Sequence, residues 1–128
     1  MPYPRDYRYT KEHEWVKLEG TRARIGITDH AQHQLGDIVY VELPKVGTTV
    51  TQMQEFATVE SVKAVSPIYA PVSGEIVEIN TELEAHPELI NQSPHEQGWI
   101  AVIAVSNPKE LENLLTAEQY EQHIGAGS

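Results

Sequence analysis

Cysteine is missing from this 128-residue chain, which excludes disulfides, thiol nucleophiles and thiolate metal sites. No apolar run is long enough to span a bilayer as a helix. The opening Met-Pro-Tyr-Pro-Arg-Asp has neither the apolar core of a signal peptide nor the Arg/Ser-rich character of a transit peptide, so a bacterial-type cytoplasmic location is expected. Basic residues are scarce: nine Lys and Arg against nineteen Asp and Glu leave a formal net charge of −10. Such a surface repels phosphate backbones and anionic lipid, so no nucleic-acid or membrane partner is expected. It suits a partner with a basic docking patch, or serves only to keep the chain in solution. The length fits one domain over residues 1–128 with a modest core, and flexible ends at about 1–6 and 125–128.

What is present is mostly strand signal. Trp15 to Leu18 reads as a strand turned at Glu19-Gly20, returning through Arg22 to Ile27 with alternating apolar and polar positions. Thr28 caps a short helix over Asp29 to Gln34, closed by Gly36. Ile38 to Leu43 is a strand stopped by Pro44, and Val50 to Met53 a shorter one. Gly74 opens a strand through Ile79, and Trp99 to Val105 is apolar throughout, as in a strand buried on both faces. Residues 80–98 read as a long surface loop with one helical turn near Pro87 to Ile90. Asn107, Pro108 and Glu110 form a capping box ahead of Leu111, Leu114 and Leu115, and Thr116 with Gln119 repeats it.

Between these units lies Phe56-Ala57-Thr58-Val59-Glu60-Ser61-Val62-Lys63-Ala64-Val65. It reads as a rising arm from Ala57 to Ser61, a tight turn with Lys63 at its tip, and a descending arm from Ala64 to Tyr69. Pro67 makes that second arm an edge. A lysine so placed offers an amine that a modifying enzyme can reach. Gly36-Asp37-Ile38-Val39-Tyr40-Val41 and Gly74-Glu75-Ile76-Val77-Glu78-Ile79 form a weak repeat around it. Two similar strand units flanking a hairpin predict a small β-sandwich with quasi-twofold symmetry.

The run His13-Glu14-Trp15-Val16, the segment Ile25-Gly26-Ile27-Thr28-Asp29-His30, the Glu60-Ser61-Val62-Lys63-Ala64 turn, Tyr69-Ala70-Pro71-Val72-Ser73-Gly74 and Leu89-Ile90-Asn91-Gln92-Ser93-Pro94 together resemble the H-protein family of the glycine cleavage system, over about Tyr9 to Tyr120. The resemblance implies a mainly β fold, a lipoyl/biotinyl-carrier-like barrel-sandwich hybrid of two small antiparallel sheets with short flanking and C-terminal helices. It implies a non-catalytic lipoyl carrier with lipoic acid, as the (R)-lipoyl group, in amide linkage to Lys63. Glu60, Ser61, Val62 and Ala64 would form the attachment turn recognised by a lipoyl ligase or lipoyltransferase. Glu14, with Glu12 assisting, would contact the loaded aminomethyl arm. The implied partners are glycine decarboxylase (P protein), aminomethyltransferase (T protein) and dihydrolipoamide dehydrogenase (L protein). Pro67, Ala57 and His95 depart from common family residues. The alternatives are a paralogue relaying lipoyl groups for protein lipoylation, or an unmodified scaffold or binding module.

Other residue groupings point to less. His30 and His33 lie three apart with His13 elsewhere, too few convergent ligands for a metal, and none is expected. Trp15, Trp99 and the six tyrosines read as core or interface anchors.

Overall fold

The computed structural model describes residues 3–127. The chain runs β1 (Arg8–Tyr9), β2 (Glu14–Glu19), β3 (Arg22–Ile27), α1 (Asp29–Leu35), β4 (Ile38–Glu42), β5 (Thr49–Val50), β6 (Glu55–Ser61), β7 (Val65–Tyr69) and β8 (Gly74–Ile79). It continues through α2 (Glu82–Ala85), α3 (Leu89–Gln92), β9 (Ala101–Val105), a 3-10 turn (Pro108–Asn113) and α4 (Ala117–Gly127). Two antiparallel sheets result, one six-stranded in the order β1-β2-β3-β9-β8-β5, the other three-stranded in the order β4-β6-β7. The expected fold class holds.

Alternation explains the layers. Ala23, Ile25 and Ile27 of β3, Val59 of β6, Ile68 of β7 and Ile103 of β9 all turn inward and are buried in one core. A second cluster gathers Tyr3, Tyr7, Tyr9, Trp15 and Tyr120, with Tyr9 stacked on Tyr120 at 5.0 Å. Trp15 lies so close over Gly26 that a Cβ there would come within 2.7 Å of the indole. The indole N–H donates to the Pro94 carbonyl at 2.8 Å. The weak sequence repeat is structural: β4 carries an extra residue, Val39, between Ile38 and Tyr40, and β8 carries Val77 at the matching place between Ile76 and Glu78.

Several expectations need correction. The strand expected from Val50 to Met53 stops at Val50, because Met53 adopts φ +69 in a turn. Residues 80–98 hold two helical turns rather than one, and they are fixed to the body by the fully buried Leu83 and Ile90. Asn107 caps its turn as expected, by accepting from the Lys109 N–H, but Glu110 does not close a box. Its carboxylate instead accepts from the Ser73 N–H and hydroxyl, both at 2.7 Å, and the turn is 3-10. Thr116 and Gln119 do exchange capping bonds. Of the ends expected to be flexible, 1–2 and 128 lie outside the described residues; Tyr3 is packed edge-on against Tyr9 and Tyr120, and α4 runs to Gly127.

Candidate functional site

The hairpin between β6 and β7 is held by its serine. The Ser61 hydroxyl accepts from the N–H groups of Lys63 and Ala64 at 3.2 and 3.1 Å, and donates to the Ala64 carbonyl. The Ser61 N–H also donates to that carbonyl, at 2.8 Å. The turn is thereby fixed by a side chain buried beneath it, while Val62, Lys63 and Ala64 remain exposed. A second tie comes from outside: the Val62 N–H donates to the Asp37 carbonyl at 3.0 Å. The Lys63 stem passes over Gly36, where Cε would lie 3.7 Å from an added Cβ. The amine therefore projects from a braced tip.

That brace is built by residues the sequence did not single out as functional. The Asn91 amide on α3 donates to the Gln32 side chain and to the Gly36 carbonyl, both at 2.9 Å, and its oxygen accepts from the Ile38 N–H. One side chain thus binds the end of α1 to the start of β4, the platform on which the hairpin rests. At the other end of α1, Thr28 accepts from the Ala31 N–H, and the His95 Nε2 accepts from the Asp29 N–H at 3.1 Å. Burial lowers the basicity of His95, as an acceptor nitrogen requires. The signal for Asn91 was its place in the Leu89–Pro94 motif, but its partners lie more than fifty residues away in sequence.

Glu14 starts β2 and is buried, with 1% of its surface exposed. The Thr10 hydroxyl donates to one carboxylate oxygen at 2.5 Å and accepts the Glu14 N–H; the Tyr69 N–H donates to the other oxygen at 3.3 Å. The residue thus joins the first strand pair of one sheet to the end of β7 in the other. Burial pushes its carboxyl up to about 7, against the lowering influence of those two donors, with the charge of Glu12 adding to the rise. Glu12 itself is exposed. Tyr69 lies four residues beyond Val65, so the carboxyl sits roughly 13 Å along β7 from the hairpin end. A lysine stem extended by an acyl chain has a comparable reach.

A raised carboxyl pKa has a defined sign in stability. Below about pH 4.5 both states hold the proton and Glu14 costs nothing extra; between 4.5 and about 7 only the unfolded chain loses it, and the fold is progressively penalised. Glu14→Gln retains an acceptor for the Tyr69 N–H and a group to meet the Thr10 hydroxyl. Its stability advantage over the parent should grow across that window to on the order of 3 kcal/mol at pH 8. Urea unfolding of both proteins at pH 4 and pH 8 measures this, and an advantage unchanged by pH would contradict it.

The histidines do not assemble a metal centre. His13 and His30 rings lie 4.8 Å apart, and His33 faces Asp29 at 3.5 Å, yet no three His, Asp or Glu among the described residues are placed to hold a metal ion. His13 has φ +76, and its Nδ1 is 2.8 Å from the Tyr120 hydroxyl, which in turn meets the Thr28 hydroxyl at 2.7 Å. Burial, then the neighbouring His30 and His123, push His13 down to about 4, so it is neutral at pH 7 and serves α4 docking.

Lys63 thus stands at the braced tip of the β6–β7 hairpin, and the buried Glu14 carboxyl of β2 lies against the far end of β7. The glycine cleavage H-protein family matches residues 7–126. The chain belongs to that family. It is 56% identical to the glycine cleavage system H protein of Geobacillus kaustophilus (strain HTA426), over 99% of this chain and all of that protein. It is 54% identical to that of Bacillus subtilis (strain 168), over 95% of this chain and 96% of that one. A crystal structure of the H protein from Mycobacterium marinum superposes with a TM-score of 0.85 at 39% identity, covering 96% of this chain and 99% of that one. As a member of this family the chain is a non-catalytic carrier. No helix among the described residues is long and apolar enough to cross a membrane.

Proposed function

We propose that this chain, as a single carrier domain, is the lipoyl-bearing shuttle of a glycine cleavage system and that Lys63 is its attachment residue. Family membership supports the carrier role and the P, T and L proteins as its partners. The observation that carries the assignment of Lys63 is its position: an exposed amine at the tip of a turn fixed from beneath by Ser61 and from the side by Asp37. A lipoyl group in amide linkage there would supply a dithiolane that exchanges two electrons and accepts an aminomethyl group. The chain's own residues fit such a group. Val62 and Ala64, exposed on either side of the lysine, leave room for a ligase to close around it, and Glu60 supplies an exposed acid on the rising arm.

Glu14 takes the second role. When an ammonium group reaches the end of β7, the carboxyl there releases its proton and receives the cation, because a nearby positive charge favours the ionised form. Thr10 and the Tyr69 N–H hold both oxygens in place, so the cation meets an oriented acceptor. Pro67 offers no charge on this strand, which leaves Glu12 as the other acid that raises the local negative potential. Holding cargo on a small tethered domain raises its effective concentration at each enzyme visited. The setting is taken to be the cytoplasm of a bacterial cell. Intact-mass analysis of protein purified from its native cell, with peptide mapping, tests the assignment. One lipoyl increment on the peptide containing Lys63 is expected; native protein never acylated there would favour the unmodified scaffold.

A further inference from the structure

The outer face of the three-stranded sheet is open and mixed in chemistry. Because Val39 is the extra residue of the β4 bulge, it and Tyr40 both turn to solvent, at 49% and 54% exposure. Across the sheet, Tyr40 pairs with Glu60 and Glu60 with Val65, so the three form one row. Val62 and Val65, on either side of Lys63, are 68% and 65% exposed. Glu42 and Asp37 stand on the same strand and its approach, and Glu60 lies within the row, so negative charge both borders and interrupts the apolar residues. Scattered exposed apolar residues need no explanation, but four on one three-stranded sheet and the hairpin turn that carries an exposed lysine mark a contact surface.

We infer that Val39, Tyr40, Val62 and Val65, with the acids Asp37, Glu42 and Glu60, are the docking surface for the enzyme that acylates Lys63, through an apolar socket with a basic rim. The inference rests on Lys63 being the attachment residue. Reach selects this partner over the others. An enzyme acting on the far end of a lipoyl arm can stand off from the hairpin by the arm's length. The enzyme that makes the amide must bring Nζ itself to its acyl donor and so must press against the residues beside the turn. In that step the deprotonated Nζ attacks the carbonyl of an activated lipoyl donor, an acyl–phosphate mixed anhydride. The C–N bond forms, the acyl C–O bond breaks with its electron pair leaving on the phosphate, and the proton lost by nitrogen passes to solvent. The acidic rim steers a basic partner toward the amine and sets a salt-dependent encounter rate.

The test separates making the arm from using it. Tyr40→Ser/Val65→Ser and, independently, Glu42→Lys are compared with the parent for the rate of acylation by a lipoyl ligase with lipoic acid and ATP. Each is also driven to full lipoylation with excess ligase, verified by mass, and assayed for reduction by dihydrolipoamide dehydrogenase. Acylation kcat/KM should fall by about tenfold or more in the double variant, as for loss of central apolar anchors. It should fall and show a weaker salt dependence in Glu42→Lys, with reduction within about twofold of the parent throughout. Acylation at the parental rate in both variants, or acylation and reduction falling together, overturns the docking surface. A parent chain that the ligase leaves unmodified overturns the assignment of Lys63 instead.

Discussion

Lys63→Arg should yield a protein that is never acylated and supports no glycine decarboxylation with the partner enzymes, while unfolding within about 0.5 kcal/mol of the parent. The contrast follows from chemistry and position. Arginine retains the positive charge and most of the stem that crosses Gly36, but its guanidinium stays protonated at neutral pH and offers no nucleophilic nitrogen. The residue is exposed, and the turn is held by Ser61 and Asp37 rather than by the lysine side chain. Intact mass, a glycine decarboxylation assay and urea unfolding read the three parts separately. Residual acylation in the variant would place the attachment at another of the lysines.

The largest loss of stability is expected at a residue remote from the lysine. Gly74 begins β8, where it pairs with Val50 on one side and Val105 on the other, at φ +155. A Cβ there would lie 2.0 Å from the Ala104 carbonyl oxygen and 2.7 Å from the Ile103 side chain. The backbone contact cannot be relieved by a rotamer change. Gly74→Ala must separate β8 from β9, the fifth and fourth strands of the six-stranded sheet, at a cost of about 4 kcal/mol or more, or fail to fold. Gly47→Ala is the control: its φ is +94, but nothing lies within 4 Å, so only the backbone conformation is strained. That costs about 1–2 kcal/mol. Similar effects at the two sites would show that conformation, not close approach, decides at Gly74.

The hairpin and most strands were legible in the sequence because their signals are local. Alternation fixed Arg22 to Ile27, a threonine and a glycine bounded α1, and Gly36 and Gly74 announced the two repeat units, which share even their bulge. Where side chains find partners far along the chain, local reading gave out. Glu110 looked like a capping residue, but Ser73 offers it two donors at once, and that exchange outweighs a single bond to its own turn. Residues 80–98 are rich in polar residues and prolines, so the pair Leu83 and Ile90 that anchors them was lost among loop signals. The motif around Asn91 marked the residue but not its partners, and Thr10 carried no mark at all; Thr10 acts through the Glu14 carboxyl, and Asn91 through the backbone of Gly36 and Ile38. The burial of Glu14, and hence its raised pKa, could be learned only from the packing of two sheets.

The free margin of β7 has a consequence for how densely such a protein can be kept in a cell. N–H groups along a strand alternate in direction, and the Tyr69 N–H leaves the sheet to reach Glu14. The nitrogens of Pro67 and Val65 therefore face the same way. Proline has no hydrogen to offer there, and the Tyr69 donor is already taken, which leaves Val65 alone. A neighbouring copy seeking to add its own strand would find one usable donor in three, too few to nucleate a growing stack of molecules.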